Sequence, residues 1–103
     1  MKVIVLHKLK KEKTMEQYRK YSREIDQPDM VEAPDIKKYE VYEIQGSEDK
    51  KEPDYDILEI MTVDSWKEFL KSEYSDEHKE ARQMWLDEWV EEGTMLSYYG
   101  EGI

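Results

Sequence analysis

The chain has no cysteine, and only four glycines, three prolines and one phenylalanine among 103 residues. Without cysteine, disulfides, thiolate nucleophiles and cysteine-held metals are excluded together, while the compartment is left undetermined. The glycines stand at a loop start and near the C-terminus, so none builds a phosphate-cradling loop, and nucleotide cofactors are not expected. Positive charge is scarce too: 16 Lys and Arg face 26 Asp and Glu, a net charge of −10. No nucleic-acid partner is expected, since phosphate contacts need a basic patch. The run Lys8, Lys10, Lys11, Lys13 is broken by Glu12 and reads as a solvated loop ahead of a helix. Long apolar runs are missing as well. Val3 to Leu6 is too short for a signal peptide or a membrane span. The expectation is a cytoplasmic protein without a membrane partner.

What the chain does have is aromatic: three tryptophans and eight tyrosines beside the one phenylalanine. An acidic chain poor in glycine and proline could be disordered, but these rings fall in patterned segments. The acid is therefore a solvated exterior around an aromatic core, a composition also common in salt-adapted proteins. The length gives one domain, residues 1–103, whose modest core would gain from dimerisation.

Patterning predicts a strand over Val3 to Leu9, with Val3, Val5, His7 and Leu9 on one face. Thr14-Met15-Glu16-Gln17 is a capping box that opens a helix burying Met15, Tyr18, Tyr21 and Ile25. Pro28 and Pro34 are expected to end it and bracket a loop. A second strand is predicted over Ile36 to Gln45, with Tyr39 and Val41 on one face and Ile36, Tyr42 and Ile44 on the other. A third covers Tyr55 to Val63, with Ile57, Glu59 and Met61 together and Leu58 and Ile60 opposite. Asp64 or Ser65 then caps a short helix carrying Trp66, Phe69 and Leu70. A longer helix begins after Ser75 and stops at Gly93, and Thr94 to Tyr99 closes the sheet. The order β-α-β-β-α-β is the ferredoxin-like α+β pattern, one sheet with helices on one face. Both faces of the first and third strands are apolar, so the uncovered face calls for a second copy, and a homodimer is expected.

His78 is the first candidate for chemistry. It stands at the start of the best-patterned helix, on a stripe with Ala81, Trp85 and Trp89. A titratable ring on an apolar stripe near a helix N-terminus suits an acid or base. A structural histidine bonded to a backbone carbonyl fits the same pattern equally well.

The opening Val-Ile-Val-Leu-His-Lys-Leu-Lys, then Thr14-Met15-Glu16-Gln17, resembles the dimeric α+β barrel proteins of the stress-responsive barrel type. The run from Tyr55 to Ser65, with His78 and Trp89, is similar to the same superfamily, in particular to olivetolic acid cyclase-like polyketide cyclases. The RedY-like proteins of prodigiosin-type pigment pathways are similar in length. The resemblance implies a ligand cavity inside each monomer, between sheet and helices, and a dimer formed by the opposite sheet faces. It implies His78 as the catalytic histidine, and Val3, Val5, His7, Leu9, Ile57, Glu59, Met61 and Tyr21 as cavity positions. The sequence departs from that pattern at Ser72, where the cyclases carry a partner tyrosine, and at Val3 and Ile57, where they carry further histidines.

His7 and Glu59 are the substitutes at hand, each on an otherwise apolar strand face. A buried carboxylate needs a partner, and an adjacent imidazole would serve. Two histidines and a carboxylate within aromatic walls could cyclise or condense a small aromatic or polyketide-like molecule by acid–base chemistry. Ligand contacts are expected from Val5, Tyr18, Tyr21, Tyr39, Ile57, Met61, Trp85 and Trp89, although these aromatics also suit a plain core. Glu59 could equally alternate outward on an edge strand, and His7 could bond a tyrosine in a packed core. No cofactor is expected; a divalent ion on the two histidines and Glu59, or haem on His7 or His78, stays open. A cofactor-free monooxygenase or EthD-like degradative enzyme, and a non-catalytic binding dimer, are the competing functions.

Overall fold

Alternation along two strands sets the architecture. In the computed structural model, which describes residues 1–103, strand β1 (Lys2–His7) buries Val3, Val5 and His7 on its inner face. Strand β3 (Ile57–Val63) buries Ile57, Glu59, Met61 and Val63 in the same way. With β2 (Ile36–Glu43) and β4 (Leu96–Gly100) they form one antiparallel sheet in the order β2-β3-β1-β4. This is the ferredoxin-like α+β fold. β3 lies between β2 and β1, so Glu59 is not on an edge strand, and it faces inward.

The strands are shorter than the apolar strings suggest. β1 stops at His7 because the Asp56 carboxylate takes the backbone N–H of Leu9 at 2.8 Å, and Leu9 keeps only an isolated bridge to Val90. β2 slips register between Ile36 and Lys38. The slip turns Ile36 onto the inner face, where it packs against the core beside Tyr39 rather than opposite it.

The first helix also departs from expectation. α1 (Met15–Tyr21) opens with the capping box: Thr14 Oγ1 accepts from Gln17 N–H at 3.1 Å, and Gln17 Oε1 accepts from Thr14 N–H at 2.8 Å. Pro28 does not end the helix. A π-helical turn, Ser22–Asp26, leads into α2 (Gln27–Glu32), and Pro28 occupies the first turn of α2, where a missing N–H is harmless. The wider turn rotates the inward residues to Tyr18, Ser22 and Asp26. Ile25, expected in the core, is 49% exposed.

α3 (Trp66–Glu73) is capped by Ser65, whose Oγ accepts from Glu68 N–H at 3.1 Å. α4 (Asp76–Trp89) follows Ser75, whose Oγ donates to the Ser72 carbonyl instead of capping α4. α4 ends at Trp89, four residues before Gly93. Val90 is already extended, and Gly93 takes its positive φ of 79° in the turn that follows.

Two buried clusters hold the helices to the sheet. Val3, Val5, Met61, Val63 and Phe69 form one; Leu9, Tyr18, Ile57 and Trp89 form the other. On the opposite sheet face, Tyr42, Leu58, Leu6 and Leu96 align across the four strands, and Ile60, Ile4 and Tyr98 make a second row. No helix is long and apolar enough to cross a membrane.

Candidate active site

Between the inner sheet face and the helices lies a cavity of about 650 Å³. The sheet contributes Val5, Tyr39, Glu59 and Met61; the first helix contributes Tyr21 and Asp26; α3 and α4 contribute Trp66, Phe69, His78 and Trp85.

Glu59 is its deepest charged group, 4% exposed and paired in register with Val5 and Val41. A directed chain of donors converges on one of its oxygens. Trp85 Nε1 donates to the Tyr18 hydroxyl at 3.3 Å, and that hydroxyl donates to Glu59 Oε1 at 3.2 Å. Burial first, then the Glu59 charge, pushes the Tyr18 phenol far above its ordinary value, so it stays a neutral donor. His7 Nε2 faces the same Oε1 at 3.5 Å and has no other partner. His7 Nδ1 lies 3.2 Å from the Lys8 carbonyl, which can only accept, so Nδ1 carries hydrogen. His7 and Glu59 thus form a buried pair through Oε1, while Glu59 Oε2 has no protein donor.

Asp26 stands on another wall. Its Oδ2 accepts from the Tyr39 hydroxyl at 2.6 Å. Burial, then the Glu59 charge, pushes its carboxyl up to about 7, with the Tyr39 bond pulling partly back. Burial likewise raises Glu73, which pairs with Arg82 at 3.1 Å.

The two histidines do not share the cavity. His78 is half-buried and lines it, with no protein hydrogen bond to its ring, unlike a histidine tied to a backbone carbonyl. His7 is fully enclosed behind Glu59, edge-on to Trp85 at 5.2 Å and to Tyr18 at 5.8 Å. It bonds no tyrosine; the tyrosine bonds Glu59. No three His, Asp or Glu residues come together to hold a metal ion, so the set of two histidines and Glu59 does not assemble. His7 is wholly enclosed, so its ring offers no open face to a haem.

Val5, Tyr21, Tyr39, Met61 and Trp85 line the cavity as expected. Tyr18, Ile57 and Trp89 do not. They belong to the second cluster, where Trp89 stacks on Tyr21 at 4.8 Å and meets Tyr18 edge-on at 5.5 Å, and Tyr18 and Ile57 instead edge a separate hollow of about 320 Å³ beside Arg19 and Glu43. Asp26, Glu73 and Arg82 are additional wall residues that the strand and helix patterns did not reveal. Pro28 was the available signal for Asp26, since a proline within a helix forces a local change of turn.

A four-stranded antiparallel sheet with helices on one face and a cavity beneath them defines a ferredoxin-like protein of the dimeric α+β barrel class. Residues 1–98 match the family model of the REDY-like protein HapK, and the chain belongs to that family. The crystal structure of HapK from Hahella chejuensis superposes with a TM-score of 0.71 at 14% identity, covering 100% of this chain and 95% of that one. Hydroxynitrile lyase from Passiflora edulis gives 0.72 at 19% identity, covering 99% and 94%. A dimeric ferredoxin-like protein of unknown function from Thermobifida fusca gives 0.65 at 14%, covering 94% and 85%. At these identities the likeness shows the fold alone. No curated protein matches the sequence.

Proposed function

We propose that the protein is a small cofactor-independent enzyme of specialised metabolism, of the polyketide or prodigiosin type, that cyclises or condenses its substrate by acid–base chemistry. The observation that carries this reading is Glu59: 4% exposed, held through Oε1 by Tyr18, and open to the cavity through a donor-free Oε2. Oε2 takes a proton from the carbon next to a substrate carbonyl, leaving an enolate. The enolate carbon attacks a second carbonyl, and the oxygen of that carbonyl takes a proton from His78 across the cavity. His7, behind Glu59 at 3.5 Å, orients the carboxylate from the side away from the cavity. Trp66, Phe69 and Trp85 supply flat walls for an aromatic body. Membership of the REDY-like family agrees with this class of chemistry, and the Passiflora enzyme shows that the fold supports catalysis in another protein.

The test does not require the natural substrate. Deuterium entry at the α-carbon of phenylacetone in D2O, followed by proton NMR, is expected to be faster with the protein than with an equal concentration of free acetate and imidazole. Exchange no faster than that control, with the ketone bound in the cavity, would make the protein a non-catalytic binding dimer. Oxygen uptake with an electron-rich phenol would instead favour the cofactor-free monooxygenase reading.

The same reading includes a homodimer through the outer sheet face, where the two apolar rows are half-exposed in the monomer. A contiguous apolar face of this kind marks an interface, and a structural neighbour is described as dimeric. Ile60→Asp places a charge at the centre of the rows. Light scattering after gel filtration should show a dimer for the wild type and a monomer for the variant; a monomeric wild type would refute the pairing.

A further inference from the structure

The hollow of about 320 Å³ behind Tyr18, between the first helix and the edge strand β2, takes no part in the reaction proposed above. Its floor is apolar, made by Met15, Val41 and the fully buried Ile57. Its walls are rich in donors. Arg19 gives Nε and Nη2 to the Glu43 carboxylate, the second at 2.8 Å, and spends neither hydrogen of Nη1. Arg23, one turn further on, pairs with no carboxylate. Gln45 Nε2 also donates to Glu43, at 3.3 Å, so the one acid of the hollow is already satisfied. In a chain of net charge −10, two arginines against one carboxylate give this lining a single net positive charge. Ser22 supplies an independent observation. It is 3% exposed and lines the hollow; its Oγ accepts from Gln27 Nε2 at 3.1 Å, but its own hydrogen reaches no acceptor in the protein. Buried donors are nearly always spent, so a hydroxyl left open beside a hollow points to a missing acceptor.

We infer that this hollow is a second binding site, and that its ligand is a small carboxylate on a short apolar body. The body rests on Met15, Val41 and Ile57, while the carboxylate accepts from Ser22 Oγ, the Arg23 guanidinium and Arg19 Nη1. A carboxylate only accepts, which is what such donors require. Its one negative charge balances the lining, where a phosphate dianion would exceed it. The volume is near the lower end for ligand sites and admits a body of a few carbons. Tyr18 is the partition between this hollow and the catalytic cavity: its ring borders the hollow, and its hydroxyl holds Glu59. Binding here does not depend on the acid–base chemistry of Glu59, so either can fail alone.

Isovalerate and isovaleramide share a branched body and differ in charge, while acetate keeps the charge without the body. In titrations of nitrogen-15-labelled protein at neutral pH, the side-chain amides of Gln27 and Gln45 report the hollow, and the Trp66 indole N–H reports the catalytic cavity. Isovalerate is expected to shift both amides with a Kd of about 1–10 mM, and to bind about tenfold more tightly than isovaleramide. Acetate should bind more weakly, having no body to bury. Arg23→Gln, at an exposed position without a protein partner, should bring isovalerate down to the level of isovaleramide and leave isovaleramide unchanged. Equal binding of isovalerate and isovaleramide, acetate binding as tightly as isovalerate, tighter binding of inorganic phosphate, or no shift of the two glutamines at about 50 mM would overturn the site. A shift confined to Trp66 would do the same, since it would put the carboxylate in the catalytic cavity. Isovalerate selectivity without α-exchange would keep this site and remove the acid–base reading. Exchange without selectivity would do the reverse.

Discussion

Glu59→Gln is expected to return α-proton exchange to the control rate while leaving the fold intact. The two halves of this expectation come from the same geometry. The glutamine oxygen can take the place of Oε1 and accept from Tyr18, as Oε1 does now at 3.2 Å, while the amide nitrogen takes the place of Oε2 facing the cavity. The Tyr18 bond is kept and His7 Nε2 stays without a hydrogen-bond partner, as it is now, so the variant should lose only about 1–3 kcal/mol of stability. What is lost is the basic oxygen facing the cavity. Removing a positioned acid–base group costs about 10²–10⁴-fold in rate. Urea unfolding and α-exchange, measured on one preparation, separate the outcomes. A stable variant that still exchanges would clear Glu59 of the role, and His78→Ala would be the next candidate to examine.

Asp26→Asn should make the protein more stable at alkaline pH. In the folded chain Asp26 is pushed up to about 7 by burial and the Glu59 charge, against an ordinary 3.8. Between these values the folded state keeps a proton that the unfolded state has released. Stability contributed by this site is therefore present at low pH, falls as pH rises from about 4 to about 7, and stays low above that. The shift corresponds to about 2–4 kcal/mol. Asparagine never ionises and can still accept from Tyr39, so the variant should escape the loss. Urea unfolding at pH 5 and pH 8 tests the sign: the two proteins should differ little at pH 5 and by a few kcal/mol at pH 8. A constant difference would show that Asp26 is not held protonated. A residue that destabilises the fold where it is charged, and lines the cavity, fits the usual trade of stability for function.

Counting by twos was enough to bring Glu59 and His7 onto one strand face, because alternation in Val3–His7 and Ile57–Val63 is uninterrupted. It could not foresee that β3 is interior, or that His7 lies behind Glu59, since periodicity gives a face and not a depth. The same limit explains Tyr18, Ile57 and Trp89, which point to the correct side but fill the packed cluster instead of lining the space next to it. The slip at Ile36 and Lys38 breaks the alternation where the sequence carries no glycine or proline to announce it. His78 was legible as a helix-face residue, while its distance from His7 depends on how α4 lies across the sheet, which no local pattern encodes. Asp26 escaped for a different reason. An ordinary 3.6-residue period selects Ile25, and only the extra residue in the turn Ser22–Asp26 selects its neighbour.

That turn places the chemical character of the pocket under remote genetic control. Pro28 cannot donate to the Glu24 carbonyl, and its ring would collide with it, so the helix widens upstream and Gln27 N–H reaches Ser22 O instead. Pro28 is exposed and lines no part of the cavity. A codon change there, to alanine for instance, would permit regular winding, bring the Ile25 side chain inward and carry the Asp26 carboxylate out. The fall in stability between pH 4 and 7 would vanish with it, which gives such a variant a simple signature. Descendants of this sequence could thus withdraw one carboxylate from the pocket wall without altering a single residue that lines it.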